Sequence, residues 1–412
     1  MVATAKITFV ETHVLKIPVK IRLSSGEVKE TSHLITEIHT DSDVVGIGEG
    51  TSYALRGKSY TNIYNAYMLC RKVARKLVGK ELSEAKDMLP QIQKNFMEKS
   101  FFDYGPFLAL ETAVIDAISK LDKVPFARIV GGNYRDKVPV CGTVFLDAPQ
   151  SMAETAQKWV SKGIRHLKIK VTGKKEVDSV NLRCVRDAVG YEPLIRIDAN
   201  GAYGTADNAI GALNSLDRYE VAIVEQPIKW HDLDGLRKLR EKVTPKVMAD
   251  ESLREPSDVE LISKKRAADI INFHPSKLGC LSITRKAIEE TVNLGLEFMI
   301  GSAVMTGIGV TVHLQLAASM RKLHYPNEEI GLYEMFGRDI VTNPLRIVEG
   351  CMGIPKDYGV GVRIKEEKLK EYNVDMSSLR SLLTCGVYRI YLRSPSLAKR
   401  AARKALSVRR KL

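Results

Sequence analysis

Five short stretches of the chain end an apolar run on ionisable side chains: Lys168-Ile169-Lys170, Ile197-Asp198-Ala199-Asn200, Val224-Glu225-Gln226, Ala249-Asp250-Glu251 and Ser276-Lys277-Leu278-Gly279. Three of these offer carboxylates and two offer amines. Three acids that converge repel one another unless a cation joins them. Oxygen donors without Cys or His suit a hard ion, so Asp198, Glu225 and Asp250 read as ligands of Mg²⁺, with Mn²⁺ the alternative ion. Asn200 and Glu251 stand beside them as supporting or substrate-binding groups. A lysine taken out of water, near other cations, moves toward useful base strength. A metal with an amine on each face of a bound molecule is the equipment for taking a proton from the carbon next to a carboxylate.

The spacing states what must position these groups. From Lys170 to Asp198, Glu225, Asp250 and Lys277 the steps are 28, 27, 25 and 27 residues. That is one strand, one helix and two loops, the unit of a (β/α)-barrel, whose chemistry sits at the C-terminal strand ends. Strands are expected at 138–146, 166–171, 194–198, 222–225, 246–250, 270–273, 296–301 and 329–335, with helical patterns between them. Runs such as VAIVE and DIINF suit a parallel sheet covered by helices. Side chains alternate along a strand, so His166, Lys168 and Lys170 share one face. Inside a closed barrel that face has no water, and its charges need partners or a task.

Ahead of the barrel, residues 2–50 read as three strands ending in Gly46-Ile47-Gly48-Glu49-Gly50, followed by helices over 61–78, 83–101 and 106–120. The fold class is therefore α/β: a modified TIM barrel preceded by an α+β capping domain. The expected divisions are 1–130 for the cap, 131–345 for the catalytic barrel, 346–376 for a return to the cap, and 377–412 for a basic tail.

Composition narrows the function further. The net charge is +14, but eight of those charges lie between Arg393 and Leu412, leaving six for the other 392 residues. The body does not read as a nucleic-acid binder, and the tail reads first as a solvated helical segment, with anchoring to an acidic partner, RNA or an anionic membrane as the alternative. Six scattered cysteines with no CxxC pair, no signal-peptide pattern and no run long enough to span a bilayer point to a cytoplasmic protein.

Together the KxK strand, the Asp198–Glu225–Asp250 triple and His274-Pro275-Ser276-Lys277-Leu278-Gly279 resemble the enolase superfamily, in its muconate-lactonizing branch. The similarity spans roughly residues 4–374 and takes in GIGEG, ALETAVIDAISKLDKVPFARIVGG and GVGVRIKEEKLKEY. It implies a homo-oligomeric, Mg²⁺-dependent enzyme acting on a small carboxylate, with an enediolate intermediate. Lys170 and Lys277 would be its acid/base pair and Lys168 an electrostatic helper. Substrate choice would lie with capping loops near 17–29 and 51–59. Glu334-Met335-Phe336-Gly337 is similar to the Glu-Leu-Phe-Gly of muconate cycloisomerases, which would put Glu334 in the site and make cycloisomerisation the leading reading. The place taken as the eighth strand lacks the Asp-x-Asp of dipeptide epimerases. Racemisation or epimerisation of N-acylamino acids or dipeptides, o-succinylbenzoate synthesis, acid-sugar dehydration and a non-catalytic binding barrel are the alternatives. His166 and His274 read as structural.

Overall fold

The structure, a computed structural model, describes residues 4–24, 26–51, 63–97 and 104–376. The tail at 377–412 and most of the expected capping loop at 51–59 lie outside the described residues.

The cap opens with three antiparallel strands, β1 (Ile7–Leu23), β2 (Gly26–Thr40) and β3 (Val45–Thr51), in the order β1-β2-β3. Residues 17–24 and 26–29, expected within a loop, are instead the end of the β1–β2 hairpin, with Ile21 paired to Val28 and Leu23 to Gly26. Helices α1 (Ile63–Ala74), α2 (Leu82–Met97) and α3 (Gly105–Leu121) follow. The glycines of GIGEG have a steric cause. A Cβ on Gly46, Gly48 or Gly50 would stand 2.0, 2.1 and 2.1 Å from the backbone oxygens of Ala113, Ala109 and Gly105. Alternate residues of β3 thus meet every fourth residue of α3, at a distance that leaves no space for a side chain. Buried Asp116 of α3 accepts from the backbone N–H groups of Ile47 and Val360, which ties the strand, the helix and the C-terminal return together.

After the short α4 (Phe126–Val130) comes the barrel. Its parallel strands are β4 (Lys137–Val144), β5 (His166–Lys170), β6 (Leu194–Asp198), β7 (Val221–Glu225), β8 (Lys246–Ala249), β9 (Ile270–Phe273) and β10 (Glu297–Ile300), hydrogen-bonded in sequence order. Between them run α5 (Pro149–Ser161), α6 (Lys175–Val189), α7 (Ala206–Ser215), α8 (Leu233–Arg240), α9 (Asp258–Lys265), the single turn α10 (Pro275–Leu278) and α11 (Leu281–Asn293). The two-residue β11 (Val304–Met305) and then α12 (Gly307–Ala318) follow.

The eighth position differs from the expectation. The closing strand is β12 (Asn327–Glu328), paired in parallel with Val140 and Cys141 of β4 and lying against β10. Residues 329–335 pass through β13 (Ile330–Gly331), which pairs with β11, into α13 (Leu332–Phe336). A two-residue strand leaves no period in the sequence, and the more apolar segment downstream drew the assignment instead. The chain ends its described course with β14 (Ile347–Val348), β15 (Cys351–Gly353) against β4, and α14 (Glu366–Tyr372) against β1. No helix among the described residues is long and apolar enough to cross a membrane.

Candidate active site

Strand register brings the first acids together. Lys170 is level with Asp198, and Asp198 with Glu225. Glu225 is level with Met248, so Asp250, two residues on, faces the same interior one layer higher. These residues lie at the floor of a cavity of about 540 Å³ between cap and barrel. Lys168, Lys170, Asn200 and Glu251 line it as well.

Two residues with left-handed backbone turn the chain directly after the acids. Asn200 has φ +44° and Gln226 φ +36°, a conformation that side chains other than glycine adopt at a cost. Each is anchored. Asn200 accepts from Lys170 Nζ at 3.0 Å and donates to Glu251 at 3.0 Å. The Gln226 side-chain oxygen accepts from the backbone N–H of Asp250 and of Ser252, both at 3.0 Å. Gln226 thereby sets the position of Asp250, a role that its sequence context did not reveal.

The charges are matched one by one. Lys170 Nζ is 2.5 Å from Asp198, and Lys168 bonds Glu328 while standing 3.5 Å from Asp198. Below them Arg196, wholly buried, lies between Glu225 at 3.2 Å and Glu328 at 2.6 Å. Burial works against the Lys168 ammonium, but Glu328, Glu225 and Asp198 outweigh it and raise its pKa, so it stays charged, in keeping with an electrostatic role. Burial also raises Glu225, and although Arg196 opposes this, its pKa stands at about 7. Glu251, taken out of water beside Asp250 and Asp198, rises to about 8. Burial and neighbouring carboxylates thus disfavour negative charge at this one place.

That place fits a hard divalent cation. The donors of Asp198, Glu225 and Asp250 are all oxygens, and Glu225 Oε2 is buried without a hydrogen bond. One donor atom each from Glu225, Asp250 and His274 lies within 4.8 Å of the others.

Three side chains sit differently from what the strand pattern led one to expect. Lys277 is not among the residues that line the cavity. It belongs to α10, its side chain has no exposed area, and its Nζ is bonded to Asp250 Oδ1 at 2.5 Å and Asp250 O at 2.7 Å. β9 ends at Phe273, four residues earlier, and the turn that follows brings the Lys277 amine onto Asp250. Glu334 stands outside the cavity, on α13, where it pairs with Lys162 and accepts from the Ile347 N–H. The misplaced eighth strand explains that error. His274, read as structural, lines the cavity with Nε2 3.2 Å from Asp250. His166 is buried away from it, edge-on to Tyr325. Arg196 and Glu328 were missed altogether; the alternation of LIRID, which puts Arg196 on the face of Asp198, could have found the first.

Comparison with known proteins places the family and the fold. Residues 4–131 match the family described as mandelate racemase/muconate lactonizing enzyme, N-terminal domain, and residues 151–368 match the enolase C-terminal domain-like family. A hydrophobic dipeptide epimerase of Enterococcus faecalis is 30% identical over 319 residues, 76% of this chain and 88% of that protein. A crystal structure of a dipeptide epimerase from E. faecalis, complexed with Mg and the dipeptide L-Leu-L-Tyr, superposes with a TM-score of 0.76 at 26% identity, covering 87% of this chain and 99% of that one. The muconate lactonizing enzyme of Pseudomonas fluorescens, complexed with muconolactone, has a TM-score of 0.82 at 21% identity, covering 90% and 100%, a likeness of fold alone.

Proposed function

Because the chain belongs to the mandelate racemase/muconate lactonizing enzyme family of the enolase superfamily, and is thus a metal-dependent isomerase or lyase, we propose that it is a Mg²⁺-dependent racemase or epimerase of N-acylated or dipeptide α-amino acids. The observation that carries this reading is the seating of Lys170 beside Asp198, Glu225 and Asp250 at the floor of one cavity.

Asp198, Glu225 and Asp250 would hold the cation. Bound there, Mg²⁺ would offset the negative charge that gathers on the substrate carboxylate as its α-proton leaves. Lys170, as the free amine, takes that proton; Asp198 and Asn200 hold its nitrogen in place. Lys168, kept charged by Glu328, adds a fixed positive charge beneath the developing anion. The cap supplies the remaining walls. Ile21, Leu23 and Val28 of the hairpin and Tyr64 of α1 are mostly apolar, whereas Lys16 and Glu30, paired at 2.6 Å, place one charge of each sign at the rim. Such walls suit an apolar side chain with a polar or charged end, which a dipeptide or an N-acylamino acid has.

Cycloisomerisation loses its particular support, since that rested on Glu334, and Glu334 is outside the cavity. The absence of an Asp-x-Asp was likewise judged at α13; the strand that closes the barrel carries Glu328, with Glu329 next to it. The test is α-proton exchange in D₂O with Mg²⁺, followed by NMR on hydrophobic dipeptides, N-acylamino acids, muconates and acid sugars. Dipeptides or N-acylamino acids are expected to exchange and invert, and Lys170→Ala should slow this by about 10²–10⁴-fold, the usual worth of a positioned base. Conversion of muconate alone would overturn the proposal.

A further inference from the structure

The first two strands of the cap carry the same short pattern, Glu11-Thr12-His13 on β1 and Glu37-Ile38-His39 on β2. Side chains alternate along a strand, so each pattern puts a carboxylate and an imidazole on one face of the sheet. The antiparallel register sets Glu11 directly opposite Glu37. Two like charges in that position weaken a sheet unless a cation joins them. Among the described residues neither glutamate has an ion pair with Lys or Arg, and His13 is the partner of both.

The three side chains are spaced as a ligand set. His13 Nε2 is 3.1 Å from Glu37 Oε1 and 3.5 Å from Glu11 Oε1, and the three donor atoms lie within 4.8 Å of one another. A ring nitrogen has at most one N–H, which serves one carboxylate well and not two. A tetrahedral ion with ligands at about 2.1 Å holds neighbouring donor atoms about 3.4 Å apart, so the spacing suits an ion bound to all three. The His13 and Glu37 side chains are 13% and 15% exposed and that of Glu11 51%, which leaves water a way to a fourth position. On the same face, two residues from Glu37, His39 stacks on Phe9 at 3.9 Å. Its Nε2 is buried without a hydrogen bond among the described residues, so the patch holds a second imidazole nitrogen that lacks a partner. None of these four residues lines the cavity above the barrel acids.

We propose that Glu11, His13 and Glu37 form a second metal site, for Zn²⁺, which clips β1 to β2 in the cap and is separate from the oxygen-only site in the barrel. Nitrogen and oxygen donors together select a borderline ion, whereas Mg²⁺ prefers oxygen alone and keeps several waters. The two strands run 17 and 15 residues and lead into the hairpin whose Ile21, Leu23 and Val28 wall the cavity. A metal at this point fixes the strands that carry those walls. The proposal does not depend on which reaction the barrel performs.

The experiment uses the full chain, stripped with a chelator and returned to excess Mg²⁺, so that the barrel acids have the ion they suit. Zn²⁺ is then titrated by calorimetry, and its ligands are read by X-ray absorption at the zinc edge. We expect one Zn²⁺ per chain with at least one imidazole among oxygen ligands, and a higher thermal unfolding midpoint than without Zn²⁺. Binding and the midpoint shift should both be lost in His13→Gln and Glu37→Gln, and both kept in Asp250→Asn. Glu11→Gln, at a half-exposed position where folding is not at stake, should weaken Zn²⁺ binding by at least the roughly tenfold that even a partner outside the ligand set is worth. Zn²⁺ binding that stays intact in His13→Gln and Glu11→Gln would overturn the proposal. So would its disappearance in Asp250→Asn, a ligand shell of oxygen alone or one containing sulfur, or no uptake of Zn²⁺ in excess Mg²⁺.

Discussion

Arg196 is the most consequential side chain that does not touch the cavity. It lies wholly buried between Glu225 and Glu328, and Lys168 completes the chain of charges. Burial pushes the Glu328 carboxyl up, but Lys168 and Arg196 outweigh it and hold its pKa at about 2. Replacing Arg196 by Met strands two buried carboxylates, so we expect a loss of about 3–5 kcal/mol, read by urea unfolding. Adding Glu328→Gln to that variant should restore part of the loss; no recovery in the double variant would mean that the two are not coupled. The alternation that exposes Lys168 and Lys170 in HLKIK works equally on LIRID, so Arg196 was within reach of the sequence. Glu328 was not, because it lies on a strand of two residues whose neighbours are set by ring closure.

At the scale of elements, the cap is fastened to the barrel through β3. Buried Glu49 accepts from His33 Nδ1, from the Thr306 and Gly309 N–H groups and from the Thr306 hydroxyl, so GIGEG holds the first turn of α12. From α2, Gln93 donates to Leu278 O at 2.6 Å and accepts from Cys280 N at 2.8 Å, gripping the turn that carries Lys277. These bonds make the floor and the roof of the cavity one unit. Gly48→Ala should therefore do more than add a methyl group. With Ala109 O 2.1 Å from the new Cβ, β3 has to move off α3, at a cost of about 1–3 kcal/mol. The expected readouts are a lower unfolding midpoint and a raised KM, since Thr51 at the end of the strand lines the cavity. An unchanged midpoint would show that the helix yields easily. Gly46, Gly48 and Gly50 were legible as a tight backbone, but the helix they admit was not, because the two segments lie about 60 residues apart in the chain.

For the whole molecule, two buried imidazoles contribute to the response to acid. Burial, with Arg196 adding to it against a weaker pull from Glu328, drops the His166 pKa to about 3. Burial and His274 bring His313 to about 3 as well. Both values lie below the ordinary 6.5, so between pH 6.5 and 3 the unfolded chain binds more protons than the folded one. Stability is then full above pH 6.5 and falls as the pH drops toward 3, by at most about 1.4 kcal/mol per pH unit for each histidine. Unfolding free energies measured over that range should show a shallower slope, by about one proton, in His166→Asn; an unchanged slope would refute the assignment.

The sequence by itself determined the barrel and its capping domain and singled out three acids as candidate metal ligands, because strand alternation and a repeat of 25 to 28 residues are local properties that survive in one dimension. Only the tertiary structure decided which strand closes the ring, that Glu334 lies outside it, and that His274 rather than Lys277 meets the cavity. Those outcomes depend on where β9 stops and α10 turns, and on which distant backbone β12 finds to pair with. They are set by packing and hydrogen bonding between segments remote in the chain, which no short window of residues encodes.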